Sequence, residues 1–146
     1  FQGEFFQAIQ AKNLPRAPRP NGAPILIGSS GERMLKLLAR YADAWNTGGG
    51  SPESVRKNVA KLEAACAAEG RDPATVVKTA SVEFAMEGFN EDSKGVLQLD
   101  DDGKLAKLNE LKDLGFDHTY LRLKPTTPET IAALAPVVKA FYDGQA

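Results

Sequence analysis

The sequence predicts an α/β fold in which a parallel sheet is covered on its outside by helices. Three observations predict it. A strand followed by a helix recurs four times, each helix carries apolar residues three and four positions apart, and Gly, Ser, Thr and Pro mark the joints. Alternation of this kind argues for parallel strands joined by right-handed helical crossovers.

Residues 1–23 read as an extended, proline-rich arm: the aromatic cluster Phe1, Phe5 and Phe6 is followed by Pro15, Pro18 and Pro20, which remove N–H donors and favour extended backbone. Residues 24–146 carry the four βα units. The first is a short buried strand, Ile25 to Gly28, followed by a helix from about Glu32 to Ala42 with the stripe Met34, Leu35, Leu38 and Tyr41. The second strand, Ala42 to Asn46, runs into a flexible loop at Gly48, Gly49 and Gly50. Ser51 then caps a helix that has Pro52 at its first position, the stripe Val55, Val59, Leu62 and Cys66, and a stop near Gly70. Val76 to Phe84 form a third strand, Ala85 to Asp102 a long loop, and Lys104 to Leu114 a helix with Leu105, Leu108 and Leu111 inward. Thr119 to Lys124 make the fourth strand. Thr127 caps the last helix, which buries Ile131, Leu134, Val138 and Phe141.

The stretch with most chemical content is the joint Gly28-Ser29-Ser30-Gly31. Turn amides and the unpaired N–H groups of a helix start converge there, where the helix dipole favours negative charge. Gly28 and Gly31 let a ligand approach the main chain, and Ser29 and Ser30 add hydroxyls. The loop alone fits two descriptions, a phosphate cradle or a tight connection without a ligand.

The formal net charge of -1 supplies no basic field for nucleic acid or anionic membrane. No apolar run approaches a membrane span, and no signal core opens the chain, so a cytoplasmic protein is the expectation. The start at Phe1 rather than Met suggests processing or trimming from something longer. Cys66, the only cysteine, excludes an internal disulfide, and one histidine with one cysteine disfavours zinc and Ser-His-Asp chemistry, so no metal is expected. Asp100-Asp101-Asp102-Gly103 lacks the ligand alternation of a calcium loop and reads as an acidic turn before a helix.

Pro24 to Leu35, followed closely by Ala39-Arg40-Tyr41-Ala42-Asp43-Ala44-Trp45-Asn46, resembles the luciferase-like monooxygenase family, as do Gly70-Arg71-Asp72-Pro73 and Leu114-Gly115-Phe116-Asp117. That family comprises flavin- or coenzyme F-420-dependent oxidoreductases built on a (β/α)8 TIM barrel. The resemblance implies that this chain is the C-terminal half of such a barrel, four consecutive βα units with an N-terminal half-barrel or a second copy as partner. It also implies that Gly28, Ser29, Ser30 and Gly31, with Arg33, hold the phosphate of FMN or of coenzyme F-420. Ser29 departs from the family pattern, in which a second glycine is frequent there. No catalytic residue is identified. A non-catalytic flavin-binding or assembly subunit is the alternative, and a phosphate-recognising isomerase or lyase using Lys124 with Glu83 is a third.

In such barrels chemistry lies at the C-terminal ends of the strands. That rule places Trp45, Asn46 and Arg122 at a cofactor or substrate pocket, with Trp45 alternatively plugging the barrel and Arg122 alternatively paired with Glu83. It assigns His118, before the fourth strand, to the opposite face, and gives Cys66 and Asp43 structural places.

Overall fold

The structure, a computed structural model, describes all residues except 13, 15–17, 21, 90–94, 145 and 146. Pro15 of the predicted arm and residues 90–94 of the predicted long loop therefore lie outside the described residues. Among the described residues nine elements carry the fold: β1 (Leu26–Gly28), α1 (Glu32–Tyr41), β2 (Ala44–Gly48), α2 (Pro52–Ala68), β3 (Val77–Ala85), β4 (Val96–Leu97), α3 (Asp101–Asp113), β5 (His118–Lys124) and α4 (Pro128–Asp143). A single 3-10 turn, Pro73–Thr75, precedes β3.

Every strand pair is parallel, in the order β1-β2-β3, with β5 also on β3. β5 occupies one edge of β3 from Thr79 to Ala85, so β4, which pairs at Glu83 and Phe84, takes the other edge just beyond the end of β2 at Ser81. The sequence reading missed β4, a pair of residues inside an aperiodic stretch. At the start of the predicted arm the chain folds back on itself: Gln2 and Gln7 form an isolated antiparallel bridge, the Gly3 N–H donates to the Phe6 carbonyl at 2.9 Å, and Phe1 and Ala8 exchange main-chain hydrogen bonds.

One core joins all four helices to one face of the sheet. It contains Leu35, Leu38, Val55, Leu62, Cys66, Leu108, Leu111, Leu134 and Val137 from the helices and Trp45, Ala80, Val82, Phe84 and Leu123 from the strands. Alternation along the strands then leaves Asn46, Thr79, Ser81, Glu83, Tyr120 and Arg122 on the open face. β1 is an edge strand rather than a buried one, with Ile25 and Leu26 about half exposed.

Two stripes also differ in detail. α1 buries Leu35, Leu38 and Ala39, followed by Ala42, an i, i+3, i+4, i+7 face that leaves Met34 and Tyr41 exposed on its flanks. α4 leaves Ile131 exposed and buries Thr130, Leu134 and Val137. α3 begins earlier than predicted because the Asp100 carboxylate accepts the Gly103 N–H at 2.8 Å and caps it. Its buried face includes Lys104 and Lys107. The Lys107 ammonium reaches the Gly50 carbonyl at 2.6 Å and the Glu110 carboxylate at 3.0 Å.

The strand starts are fixed by two carboxylates used in the same way. Asp43, just before β2, accepts the Ile25 N–H at 2.7 Å, and Asp117, just before β5, accepts the Lys78 N–H at 2.7 Å. Asp43 thus has the structural place its position predicts. No helix among the described residues is long and apolar enough to cross a membrane.

Candidate functional site

The site grows from the way α1 begins. α2, α3 and α4 are capped by side chains, with Ser51, Asp100 and Thr127 each accepting a first-turn N–H. Gly31 has no side chain with which to do this: it stands at the N-cap of α1 in extended conformation, and no side-chain cap bond closes the helix start. The carbonyl of Gly31 accepts the first helical bond from the Leu35 N–H at 2.9 Å. Ahead of that turn lies a cavity of about 330 Å³ bounded by Gly28, Ser29, Ser30, Asn46, Thr47, Gly48 and Asn58.

The loop is braced from beneath. Trp45 is fully buried, stacks on Phe116 with centroids 6.1 Å apart, and donates its indole N–H to the Ser29 carbonyl at 2.7 Å. Lys61 of α2 donates to the Ser30 carbonyl at 3.5 Å. Both loop carbonyls are thus engaged by side chains of β2 and α2. The Ser29 hydroxyl oxygen accepts the Gly31 N–H at 3.1 Å. A Cβ at Gly28 would stand in ordinary contact with the Asn46 side chain at 3.9 Å, and one at Gly31 with the Ser29 hydroxyl at 3.7 Å.

Asn46 lies on the cavity wall and anchors a polar ladder across the open face. Its amide donates to the Thr79 hydroxyl at 2.8 Å and accepts from the Ser81 hydroxyl at 3.2 Å. The Thr79 hydroxyl in turn donates to the Trp45 carbonyl at 3.0 Å. The ladder fixes the Asn46 side chain beside Gly28, its register partner.

Other predicted residues fall elsewhere. Trp45 neither lines a pocket nor plugs the barrel interior, because β2 runs on through Gly48 and alternation turns the indole to the helix-covered face. The triple glycine is likewise not a free loop: Gly48 belongs to β2, and buried Gly49 donates to the Ser81 carbonyl at 2.8 Å. Arg33 is exposed on α1 and lies outside the cavity wall. Arg122 reaches Glu83, with Nε 3.8 Å from Oε1. His118 is the first residue of β5 and is exposed. Cys66 is fully buried, and loss of hydration pushes its thiol pKa up, which makes it inert. Among the described residues no group of three or more His, Cys, Asp or Glu is placed to hold a metal.

Two contributions to the site have roles that the sequence reading did not assign. Asn58 supplies part of the cavity wall and donates to the buried Thr47 hydroxyl at 3.0 Å. Arg71 binds the α1 carbonyls of Leu38, Ala39 and Ala42 at 3.3, 3.3 and 2.7 Å, fixing the far end of the helix whose start faces the cavity. The Asn58 contact crosses from α2 back to β2, and the Arg71 contacts span about thirty residues, so no helix or strand periodicity carried either.

A parallel βα array with an open helix start at its strand ends is the architecture of a TIM-barrel protein. The sequence model of the family described as luciferase-like monooxygenase matches residues 1–93. The chain belongs to that family. A relative in Mycobacterium tuberculosis, itself uncharacterised, is 31% identical over 103 residues, 70% of this chain and 33% of the relative. An F420-dependent secondary alcohol dehydrogenase has the same fold with a TM-score of 0.73 and 15% identity, over 97% of this chain and 55% of that one. The EDTA monooxygenase of Chelativorans sp. BNC1 superimposes with a TM-score of 0.65 and 12% identity, over 96% and 49%. DmoA of Hyphomicrobium sulfonivorans does so with 0.67 and 13%, over 99% and 46%. The chain therefore spans about a third of its curated relatives and about half of these solved structures.

Proposed function

We propose that the chain is the C-terminal half of a luciferase-like oxidoreductase, working in the cytoplasm, and that Gly28, Ser29, Ser30 and Gly31 hold the phosphate of FMN or coenzyme F-420. One observation carries the reading: among the helices of the described residues α1 alone starts without a side-chain cap, and a polar cavity lies against the loop that leads into it. Main-chain amides at a helix start suit a phosphate. The donors present fit the group: the amides of the first turn, the Ser30 hydroxyl and the second N–H of the Asn46 amide, whose first is held by Thr79, with Arg33 in the first turn of α1. Ser29 tightens the loop by accepting from Gly31, and its own O–H remains a donor.

Bound there, FMN would supply oxygenation chemistry and coenzyme F-420 hydride transfer; the protein supplies orientation, electrostatics and exclusion of water. Trp45 holds the Ser29 carbonyl away from the anion, and the Asn46 ladder keeps an amide at the wall. The names of two structural neighbours, an F420-dependent alcohol dehydrogenase and a monooxygenase, support this range of chemistry.

The test is a fluorescence titration of the protein with FMN and with coenzyme F-420, paired with an NMR titration using inorganic phosphate. Binding of one cofactor, with amide shifts centred on residues 29–33 and lost in Gly31→Val, is the expected result. If neither cofactor binds and phosphate leaves those amides unmoved, the reading is lost.

A further inference from the structure

Two elements share one wall of the cavity ahead of α1. β2 brings Asn46, Thr47 and Gly48, and α2 brings Asn58. The chain passes from one to the other through Gly49, Gly50 and Ser51, so the placing of that joint decides how the two parts of the wall meet. Two glycines hold no conformation by themselves. The joint has to be fixed from outside.

Three contacts fix it. The Gly49 N–H donates to the Ser81 carbonyl at 2.8 Å, and the Asn58 amide to the Thr47 hydroxyl at 3.0 Å. The third comes from α3, where the Lys107 ammonium donates to the Gly50 carbonyl at 2.6 Å and to the Glu110 carboxylate at 3.0 Å. The Lys107 side chain is 7% exposed, and the second Glu110 oxygen is shielded from solvent with no hydrogen bond among the described residues. A buried pair of this kind is a poor source of stability, because lost hydration offsets the attraction and an apolar side chain could fill the place at less cost. What the lysine supplies, and a leucine could not, is a directed bond to one main-chain oxygen. Lys104, one turn earlier and as deeply buried, binds Asp101 of its own helix.

The arrangement has a counterpart in the loop after β1, where Lys61 of α2 donates to the Ser30 carbonyl at 3.5 Å. Each loop at the cavity thus has a carbonyl bound by a lysine from the helix of the next βα unit.

We propose that Lys107 is a positioning residue for the cavity: by holding the Gly50 carbonyl it fixes the joint between β2 and α2, and so sets Gly48 and Asn58 for the ligand. The inference rests on the reading of that cavity as a phosphate site. Glu110 cancels the ammonium's charge, so Lys107 contributes a place and not a field. The two are told apart by salt, which screens a field and leaves a geometry alone.

The experiment is an NMR titration with inorganic phosphate of the wild type and of Lys107→Met/Glu110→Gln, a double variant that removes the pair together and strands no buried charge. In the wild type a coupling across the hydrogen bond between the Lys107 ammonium nitrogen and the Gly50 carbonyl carbon is expected, and phosphate should move that carbon signal. The double variant should bind phosphate about fivefold more weakly, the order of one hydrogen bond's net contribution. The ratio should be the same at about 20 mM and about 200 mM salt. Absence of the coupling, unaltered phosphate affinity in the double variant, or a loss that disappears at the higher salt would overturn the proposal. If the double variant does not fold, the wild type decides: a Gly50 carbon signal that ignores phosphate while residues 29–33 respond removes Lys107 from the site and leaves the cofactor reading standing. If residues 29–33 are themselves silent, the cofactor reading is lost, and amide exchange then judges the joint. Faster exchange at Gly48, Gly49 and the Asn58 side-chain amide in the double variant keeps Lys107 as the residue that sets this wall, and unchanged exchange sinks it.

Discussion

The indole N–H of Trp45 donates to the carbonyl of Ser29 at 2.7 Å, so the core of the protein and the wall of the candidate site are joined by one hydrogen bond. Trp45→Phe keeps a ring against Phe116 and removes the donor. The expected loss is about 1 kcal/mol in urea unfolding followed by circular dichroism. Amide exchange at Ser30 and Gly31 should quicken at the same time, because the loop loses its brace.

Gly49 is a packing requirement and its neighbour is not. A Cβ at Gly49 would stand 2.5 Å from Val82 Cγ2 and 3.2 Å from the Ser81 carbonyl oxygen, whereas one at Gly50 meets nothing within 4 Å. Gly49→Ala should therefore cost about 1–3 kcal/mol in denaturant unfolding. Gly50→Ala should range from neutral to stabilising by about 1 kcal/mol, through a less flexible unfolded chain.

Arg71 closes the C-terminal end of α1 with a fork of hydrogen bonds and also binds the Thr75 side-chain and main-chain oxygens at 2.9 and 3.2 Å. Arg71→Ala should destabilise by about 2–3 kcal/mol. Arg71→Lys should recover less than half of that, because an ammonium cannot span the same set of carbonyls. Thermal or urea unfolding of the two variants checks the order.

The α1 and α2 ends are also joined by charge. Glu69 accepts from Arg40 at 2.5 Å, and this hydrogen bond holds the Glu69 carboxyl below its ordinary pKa against a smaller opposing effect of lost hydration. A carboxyl more acidic in the folded state stabilises above its unfolded pKa and loses that contribution as pH falls through the folded value. The urea midpoint, measured from about pH 6 to about pH 2, should fall more steeply for the wild type than for Glu69→Gln. The two curves should converge in acid.

The parts of the fold set by neighbouring residues were legible in the chain. Ser51 before Pro52 and Thr127 before Pro128 mark two helix starts because an N-cap is a contact across three residues. The uncapped start of α1 was legible for the same reason, since Gly31 has no side chain to offer. What escaped was set at a distance. Lys104 and Lys107 sit on a face that local spacing assigns to leucines, and Lys107 is held there by Gly50, far along the chain. The orientation of Trp45 escaped because its strand continues through a glycine, a residue that ordinarily ends one. Arg71 was visible only as part of a family pattern; its use depends on carbonyls presented by another helix.

β3 is hydrogen-bonded along both of its edges, to β2 and β4 on one and to β5 on the other. The two flanks of the molecule thus share a single seam. A fluctuation that lifts β1 and α1 leaves the seam whole, whereas one that frees β3 leaves neither flank a sheet to belong to. Opening runs from the rim inward, and the amide protons of Thr79 to Ser81, paired on both sides, are the last to trade with heavy water.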